Sequence, residues 1–167
     1  KKKNDSTWCF WESGKGIFAS VVCHQWKNLE FKTEKFTKEF HLKNYRYKMI
    51  QGLDFYEFVI TFAKTFENVS FKYESILNIE SDENTATIET DNGKYFAQYI
   101  FNSTTLFNPE INTENALLQH FTGWVIKTEQ ATFNSEVGTL MDFSLDQKNG
   151  ATFMYVLPTS STEALVE

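Results

Sequence analysis

The sequence predicts an α+β protein that is mainly antiparallel sheet with a few helices. Short runs rich in Phe, Val, Ile and Thr recur along the 167 residues, with turn residues between them. The clearest helical spacing of apolar residues occurs in a single segment. Aromatic residues make up 17% of the chain, which supplies bulky core material although apolar residues reach only 41%.

The aromatic cluster TWCFW stands near the start of the sequence. Successive side chains of a strand point to opposite faces, so an extended backbone places Trp8 and Phe10 on one side. It places Cys9 and Trp11 on the other side. The chain has two cysteines, Cys9 and Cys23, whose number and spacing fit neither a disulfide framework nor a metal site, and we expect reduced thiols.

Three more strands are predicted before the helix. Residues 17–22 are rich in Ile, Val and Phe, which indicates a buried strand. The alternating apolar residues of LEFKTEKFTKEFHL, residues 29–42, predict two half-buried antiparallel strands with a turn near residues 33–35.

The helix is predicted to begin at Asp54, a good N-cap residue. Glu57, three residues later, completes a start that resembles a capping box. Apolar residues then recur at steps of three and four, which places them on one helix face. These residues are Phe55, Phe58, Val59, Phe62 and Phe66.

A hairpin carries the strongest turn signal. Residues 69–73 and 76–80 predict two strands, and TATIET (85–90) leads into the turn Asp91-Asn92-Gly93. Asn-Gly tolerates positive φ at both positions and typically joins two antiparallel strands. We therefore predict that KYFAQYIF (94–101) pairs back on the preceding strand.

The last part of the chain is again rich in strands. We predict a short helical turn after Pro109, then strands near residues 121–129 and 137–145. A turn over residues 146–150 and a strand over residues 151–158 complete the pattern.

Composition argues against some partners and sites. The net charge of −6 and the pI near 5.1 argue against nucleic acid, because phosphate binding needs a basic face. The sequence has no secretory signal and no run of 18 uncharged apolar residues. We therefore expect a protein of the cytoplasm or of a membrane surface, and we predict no metal site.

The order helix, strand, hairpin and strand over residues 54–104 is typical of flavoproteins with two dinucleotide folds. Residues 99–104 would then be the strand that returns to the flavin sheet. A flavin site also needs a GxGxxG turn between a strand and a helix. Gly14-Lys15-Gly16 lacks the third glycine and the following helix, so we assign no cofactor-binding residue.

Three segments resemble the lycopene cyclase family, the flavin-dependent enzymes that close ionone rings at the ends of a linear carotenoid. The segments stand in the order found in that family. The resemblance covers nearly the whole chain but only the middle of a typical family member. The three segments are DSTWCFWE (5–12), QHFTGWVIKTEQATFNSEVGTLMDF (119–143) and FMYVLPTSSTEALVE (153–167).

The resemblance implies that residues 1–167 form one structural unit of a larger flavoprotein. About residues 54–104 would contribute to the FAD side, and about residues 5–50 and 105–167 to the substrate side. Residues 1–167 do not include the glycine-rich nucleotide fold that the resemblance implies, so we expect these residues in isolation to be inactive. Its oligomeric state is not predicted.

The resemblance also implies the cofactors and the substrate. They are reduced FAD, NAD(P)H as its electron donor, and lycopene or a related linear carotenoid. The substrate is insoluble in water, so we expect apolar surface to make peripheral contact with a membrane.

Ring closure begins when an acid protonates a terminal double bond of the polyene. Such an acid must stay uncharged in a dry site, and burial favours the uncharged form of a carboxyl. Glu167 follows Ala164, Leu165 and Val166 and matches the acidic residue proposed as catalytic in the family. The resemblance therefore implies that Glu167 is the proton donor.

A second carboxyl and several aromatic residues complete the candidate site. Asp142, between large apolar neighbours, would accept a proton, orient Glu167 or cap a buried backbone group. Aromatic faces stabilise cations in dry sites, although each of these rings could instead pack in the core. We expect His120 to be a core residue rather than a base. The aromatic candidates for substrate binding are Trp8, Phe10, Trp11 and Trp124.

Two other functions fit the same sequence. The first is a different FAD-dependent oxidoreductase, either a monooxygenase or a polyene reductase. The second is a β-rich module that binds an apolar ligand without catalysis.

Overall fold

The structure is a computed structural model that describes residues 6–104, 114 and 116–167. These residues form twelve strands, one α-helix and one short 3-10 helix, and every strand pair except one is antiparallel. The predicted mainly antiparallel architecture is therefore confirmed. The chain divides into two compact units, Lys1–Phe66 with His120–Glu167, and Glu67–Gln119.

The first unit contains nine strands and both helices. Its elements are β1 (Thr7–Ser13), a 3-10 helix (Ala19–Val21), β2 (Val22–Trp26), β3 (Asn28–Thr33), β4 (Phe36–His41), β5 (Tyr45–Gln51), α1 (Gly52–Ala63), β9 (Trp124–Lys127), β10 (Val137–Asp142), β11 (Met154–Pro158) and β12 (Glu163–Val166).

The first sheet of this unit has three strands in the order β1-β5-β2. One face packs on α1, where the Trp8 ring lies 4.9 Å from Phe55. On the other face, Trp11 lies 4.9 Å from Tyr47, and Cys9 packs against the main core. The predicted alternation of side chains in TWCFW is confirmed.

The second sheet has six strands in the order β4-β3-β10-β11-β12-β9, and β3 and β10 are its parallel pair. Its buried face packs against the three-stranded sheet through Trp26, Leu29, Met49 and Leu157. Trp26 is fully buried, and its indole N–H donates a hydrogen bond to the Pro158 carbonyl at 3.0 Å. We call this buried side the core face of the six-stranded sheet.

Helix α1 begins earlier than the sequence predicts. Its N-cap is Gln51, whose extended backbone continues directly from β5. The N–H of Gly52 donates to the Ser6 carbonyl at 2.7 Å, which fixes the first turn. Asp54 lies within that turn, so its prediction as the N-cap is wrong.

The buried strand predicted over residues 17–22 is also wrong. Ile17 is 57% exposed, and a 3-10 turn occupies most of the segment. The reason is tertiary: the Phe18 ring packs against Phe10 of β1 and against Phe55 and Phe58 of α1. The backbone turns at this point and the Phe18 ring packs against these residues. The β-propensity of the segment carries no information about such tertiary contacts.

The two strands predicted within residues 29–42 are present as β3 and β4, joined by a turn at residues 34–35. They pair antiparallel from Asn28↔His41 to Thr33↔Phe36. β4 is exposed along its whole length rather than half-buried, because it lies at the edge of the sheet.

The second unit is a three-stranded antiparallel sheet in the order β6-β7-β8. The predicted hairpin is confirmed, and Gly93 adopts a φ of 145° at its turn. Residues 54–104, which the family resemblance assigns to the FAD side, are divided between the two units, because α1 belongs to the first unit. The bounds are β6 (Ile76–Ser81), β7 (Ala86–Thr90) and β8 (Gly93–Ala97).

Two strands predicted in this unit are absent. Residues 69–73 are irregular, and β8 ends at Ala97, so no return strand forms over residues 99–104. The large side chains there lack packing partners, since Tyr73 is 86% exposed and Phe101 is 98% exposed. Apolar composition alone does not make a strand without a neighbour to pair with.

The predicted strands near residues 121–129, 137–145 and 151–158 are confirmed as the shorter β9, β10 and β11. The helical turn predicted after Pro109 lies outside the described residues. In the part of the chain that the structure describes, no helix has the length and apolarity needed to cross a membrane.

Candidate active site

Glu167 follows β12 and points to the core face of the six-stranded sheet. Its N–H donates to the Tyr155 carbonyl at 3.0 Å, and the Tyr155 N–H donates to the Glu167 carbonyl at 2.7 Å. Residues that exchange both hydrogen bonds lie directly opposite each other and share a face. Leu157 and Leu165 are opposed in the same way two residues along these strands, so they share this face, and both belong to the core. Glu167 is therefore a half-buried carboxyl at the edge of the core.

Three ionisable side chains lie on the core that Glu167 borders: Tyr155 is directly opposite Glu167, and Cys9 and Tyr47 pack against the same core. Burial raises the pKa of the Cys9 thiol to about 11, and it raises the pKa of the Tyr47 and Tyr155 hydroxyls above their ordinary value. The Glu167 charge contributes to the rise in all three. All three are uncharged near neutral pH, so this side of the carboxyl faces no ionised partner among them.

Gly123 closes the opposite side of the Glu167 side chain. A Cβ at this position would lie 3.1 Å from Cβ and 3.2 Å from Cγ of Glu167, and 3.4 Å from the Val166 carbonyl oxygen. Ordinary carbon–carbon contacts begin near 3.5 Å. Glycine therefore allows the backbone before β9 to lie directly against Glu167.

Asp142, the second predicted carboxyl, lies at the end of β10, opposite Met154 of β11. Met154 and Tyr155 are adjacent in a strand, so their side chains point to opposite faces. Asp142 shares the face of Met154, and Glu167 shares the face of Tyr155. The two carboxyl side chains thus lie on opposite faces, with one strand between them.

The environment of Asp142 stabilises its charged form. Burial alone would raise its pKa, but the Ser144 hydroxyl and N–H donate hydrogen bonds to Oδ1 at 2.5 and 2.9 Å. The Lys32 ammonium lies 3.6 Å from Oδ2. Together these contacts hold the pKa of Asp142 below its ordinary value of 3.8.

The structure does not bring the four aromatic candidates together. Trp8 and Phe10 point toward α1 and the 3-10 helix. Trp11 points the other way and contacts Tyr47, which packs against the same core as Tyr155. Trp124 is 64% exposed on the edge strand β9, opposite Val166.

The sequence did not predict that Tyr155 lies opposite Glu167 or that Cys9 and Tyr47 pack against the same core as Tyr155. Alternation along FMYVLP places Tyr155 and Leu157 on one face, so part of this signal was present. His120, predicted as a core residue, is exposed, so that prediction is wrong.

The glycine pair Gly14 and Gly16 does not form a phosphate site. The loop encloses an ion pair, in which the buried Lys48 ammonium donates to Glu12 Oε2 at 2.6 Å and to the Gly14 carbonyl at 2.7 Å. A Cβ at Gly16 would collide with the Glu12 carboxylate. That carboxylate would repel a phosphate, so this loop does not fit the pyrophosphate of FAD or NAD(P)H.

Among residues 6–104, 114 and 116–167, no three His, Cys, Asp or Glu side chains are grouped so that they could hold a metal ion.

The comparisons with known proteins give one finding. The family model described as lycopene cyclase protein matches residues 1–167. A search of curated proteins finds no match. Since the family model spans the whole sequence, the chain belongs to the lycopene cyclase family, whose enzymes act on carotenoids during their biosynthesis.

Proposed function

We propose that Glu167 donates the proton that starts the cyclisation of the ends of lycopene into ionone rings. One observation supports this proposal: Glu167 lies directly opposite Tyr155 on the core face, and Tyr155, Cys9 and Tyr47 pack against the same core. These three side chains are uncharged near neutral pH. The core face supplies the apolar surroundings that protonation of an alkene requires.

The reaction needs an acid, a dry surface and a base, and it needs no net oxidation. A proton adds to the terminal double bond, and the electron pair of that bond forms the new C–H bond, which leaves a cation on the neighbouring carbon. An internal alkene attacks the cation and closes the ring. A ring carbon then loses a proton, so the product is an isomer of the substrate.

The chain offers aromatic rings near the acid for the cationic step. Tyr155 is paired with Glu167, Tyr47 packs against the same core as Tyr155, and Trp11 contacts Tyr47. Ring faces stabilise a cation more strongly where water is excluded. Among the four aromatic candidates, we therefore assign Trp11 to the substrate side.

The other aromatic candidates take different roles in this proposal. Trp8 and Phe10 pack between β1 and the helices, where they hold the strand that carries Cys9. Trp124 lies next to the backbone of Val166 and is available to a ligand from the solvent side.

Of the three roles predicted for Asp142, we favour the capping of a backbone group. Its Oδ1 accepts the Ser144 N–H, and its side chain faces away from Glu167. An ionised carboxylate on the opposite face of the sheet cannot orient the acid directly.

Reduced FAD, with NAD(P)H as electron donor, belongs to the proposal through the family alone. The Gly14–Gly16 loop does not fit a dinucleotide phosphate, and the steps above use only side chains of this chain. Peripheral contact with a membrane also remains a proposal, based on the insolubility of the carotenoid.

The test is Glu167→Gln in the intact protein, expressed in cells that accumulate lycopene. Glutamine keeps the shape of the side chain but has no acidic proton. Ring formation should fall by about 100-fold or more, the usual contribution of a positioned general acid. Chromatography of the carotenoids measures it, and it also separates ring products from the oxidised or reduced polyenes that another flavoenzyme would form.

Asp142→Asn is the matched control. It removes a carboxyl on the opposite face of the same sheet, so we expect the rate of ring formation to stay within about threefold of the wild type. Ring formation at the wild-type rate by the folded Glu167→Gln variant would refute the proposal.

A further inference from the structure

Four aromatic rings form a row across one end of the six-stranded sheet. Phe31 of β3 lies 5.4 Å from Phe143, which directly follows β10. Phe143 lies 5.4 Å from Phe153, and Phe153 lies 5.4 Å from Tyr155 of β11. These centroid distances lie in the range of favourable edge-to-face and tilted aromatic pairs. We call these four residues the aromatic row.

The row lies on the core face and leads to Glu167. Phe31 is two residues from the buried Leu29 in the same strand, so both side chains lie on the core face. Tyr155 and the buried Leu157 share that face for the same reason. Tyr155 is directly opposite Glu167 on β12. The rings therefore cross the sheet strand by strand and meet the carboxyl on the last of these strands.

The row is accessible along its length. All four rings are half-buried, whereas Leu29 and Leu157 beside them are only 3% and 2% exposed. At Phe143 the row reaches the rim of an open groove of about 850 Å³, whose other lining residues include Glu34, Lys35, Asp146 and Lys148. The apolar surface of the row therefore ends at this groove.

A linear polyene matches this surface chemically. It has no polar groups, so contacts with aromatic and aliphatic side chains must supply its binding energy. It is also long and narrow, with only methyl branches along its conjugated chain, as the row is long and narrow. A compact apolar ligand would leave most of the row uncovered.

We propose that the aromatic row is the binding surface for the polyene chain of the substrate, with the reacting end at Glu167 and the adjoining conjugated chain lying along Phe153, Phe143 and Phe31. This inference rests on the proposed function, because that function sets the class of ligand. It assigns substrate contacts that differ from Trp8, Phe10, Trp11 and Trp124.

The test measures lycopene retention by the intact protein in detergent micelles. The Glu167→Gln background prevents turnover, and gel filtration followed by visible absorbance gives the lycopene bound per protein. Phe153→Ala in this background should lower retention by about 10-fold, the loss expected when one buried aromatic contact is removed. Phe62→Ala is the matched control, because Phe62 is a 43% exposed phenylalanine on α1, away from the row. Retention by this control should be unchanged.

Phe153→Leu provides a second variant if alanine disturbs the sheet, because leucine keeps apolar volume but removes the ring. With Glu167 present, it should raise the KM for lycopene several-fold more than it lowers kcat. Retention and KM that match the Phe62→Ala control in both Phe153 variants would overturn the inference.

The two proposals fail in different ways. Rings formed by the Glu167→Gln protein would refute the proton donor, and that result would not depend on the row. Unchanged retention in the Phe153 variants would refute the row, whichever residue supplies the proton.

Discussion

Gly123→Ala tests the position of the acid without changing its chemistry. A methyl group at this position would lie 3.1 and 3.2 Å from two carbons of Glu167. Carbon contacts are ordinarily 3.5–4.0 Å long, so the Glu167 side chain must move by about 0.5 Å. Because a displacement of about 1 Å at a reacting group can cost 100-fold in rate, we expect kcat for cyclisation to fall by about 10-fold.

The same substitution should have little effect on stability. Gly123 is exposed, and its φ is not positive, unlike that of Gly14, Gly93 and Gly150. Alanine can therefore adopt this backbone, and its lower entropy in the unfolded chain offsets part of the crowding, which leaves a change of about 1 kcal/mol or less.

The assay for this variant compares initial rates of ring formation with thermal unfolding of the same preparations. Val125→Ala, on the adjoining strand and 61% exposed, is the control and should keep the wild-type kcat. A Gly123→Ala protein with normal Tm and normal kcat would show that the position of Glu167 does not limit the reaction.

Three further predictions concern ionisable side chains. Lys48→Ala should lower Tm more than Lys94→Ala does, because the ion pair of Lys48 with Glu12 is buried at the lysine and that of Lys94 with Glu89 is exposed. Equal decreases in Tm would contradict this prediction. The Lys48 hydrogen bond lowers the pKa of Glu12 below its ordinary value of 4.5. The stabilisation of the folded state by this hydrogen bond is therefore complete above pH 4.5, and it is lost as the pH falls through the lower pKa of Glu12 in the folded protein. Glu12→Gln should therefore weaken the pH dependence of urea unfolding between about pH 5 and pH 3, and an unchanged pH dependence would count against it. With the pKa of Cys9 near 11, about one Cys9 thiol in a thousand is ionised at pH 8. Iodoacetamide should therefore modify the exposed Cys23 before Cys9, and peptide mass spectrometry measures this order.

Local patterns predicted much of the sheet architecture. The Asn-Gly turn and the alternation in TWCFW depend on neighbouring residues, and the structure contains both. The segment at residues 17–22 failed because the packing of Phe18 against α1 outweighed its β-propensity. Asp54 failed as an N-cap because β5 leads into the helix without a loop.

The surroundings of the acid could not be predicted from local patterns. Cys9 and Tyr47 lie more than 100 positions before Glu167 in the sequence, and only the packing of the two sheets brings them to the core that Glu167 borders. The separation of Asp142 from Glu167 likewise depends on the pairing Asp142↔Met154, a register that the sequence does not reveal. The family motif predicted Glu167 as the acid, and the fold placed Tyr155 opposite it.

The most direct measurement of the central claim is single-turnover cyclisation of lycopene in deuterated water by the wild-type and Glu167→Gln proteins. An exchangeable carboxyl would transfer one deuterium to each ring, so we expect one deuterium per ring from the wild type and no labelled rings from the variant. Labelled rings formed by Glu167→Gln at the wild-type rate would show that another group supplies the proton.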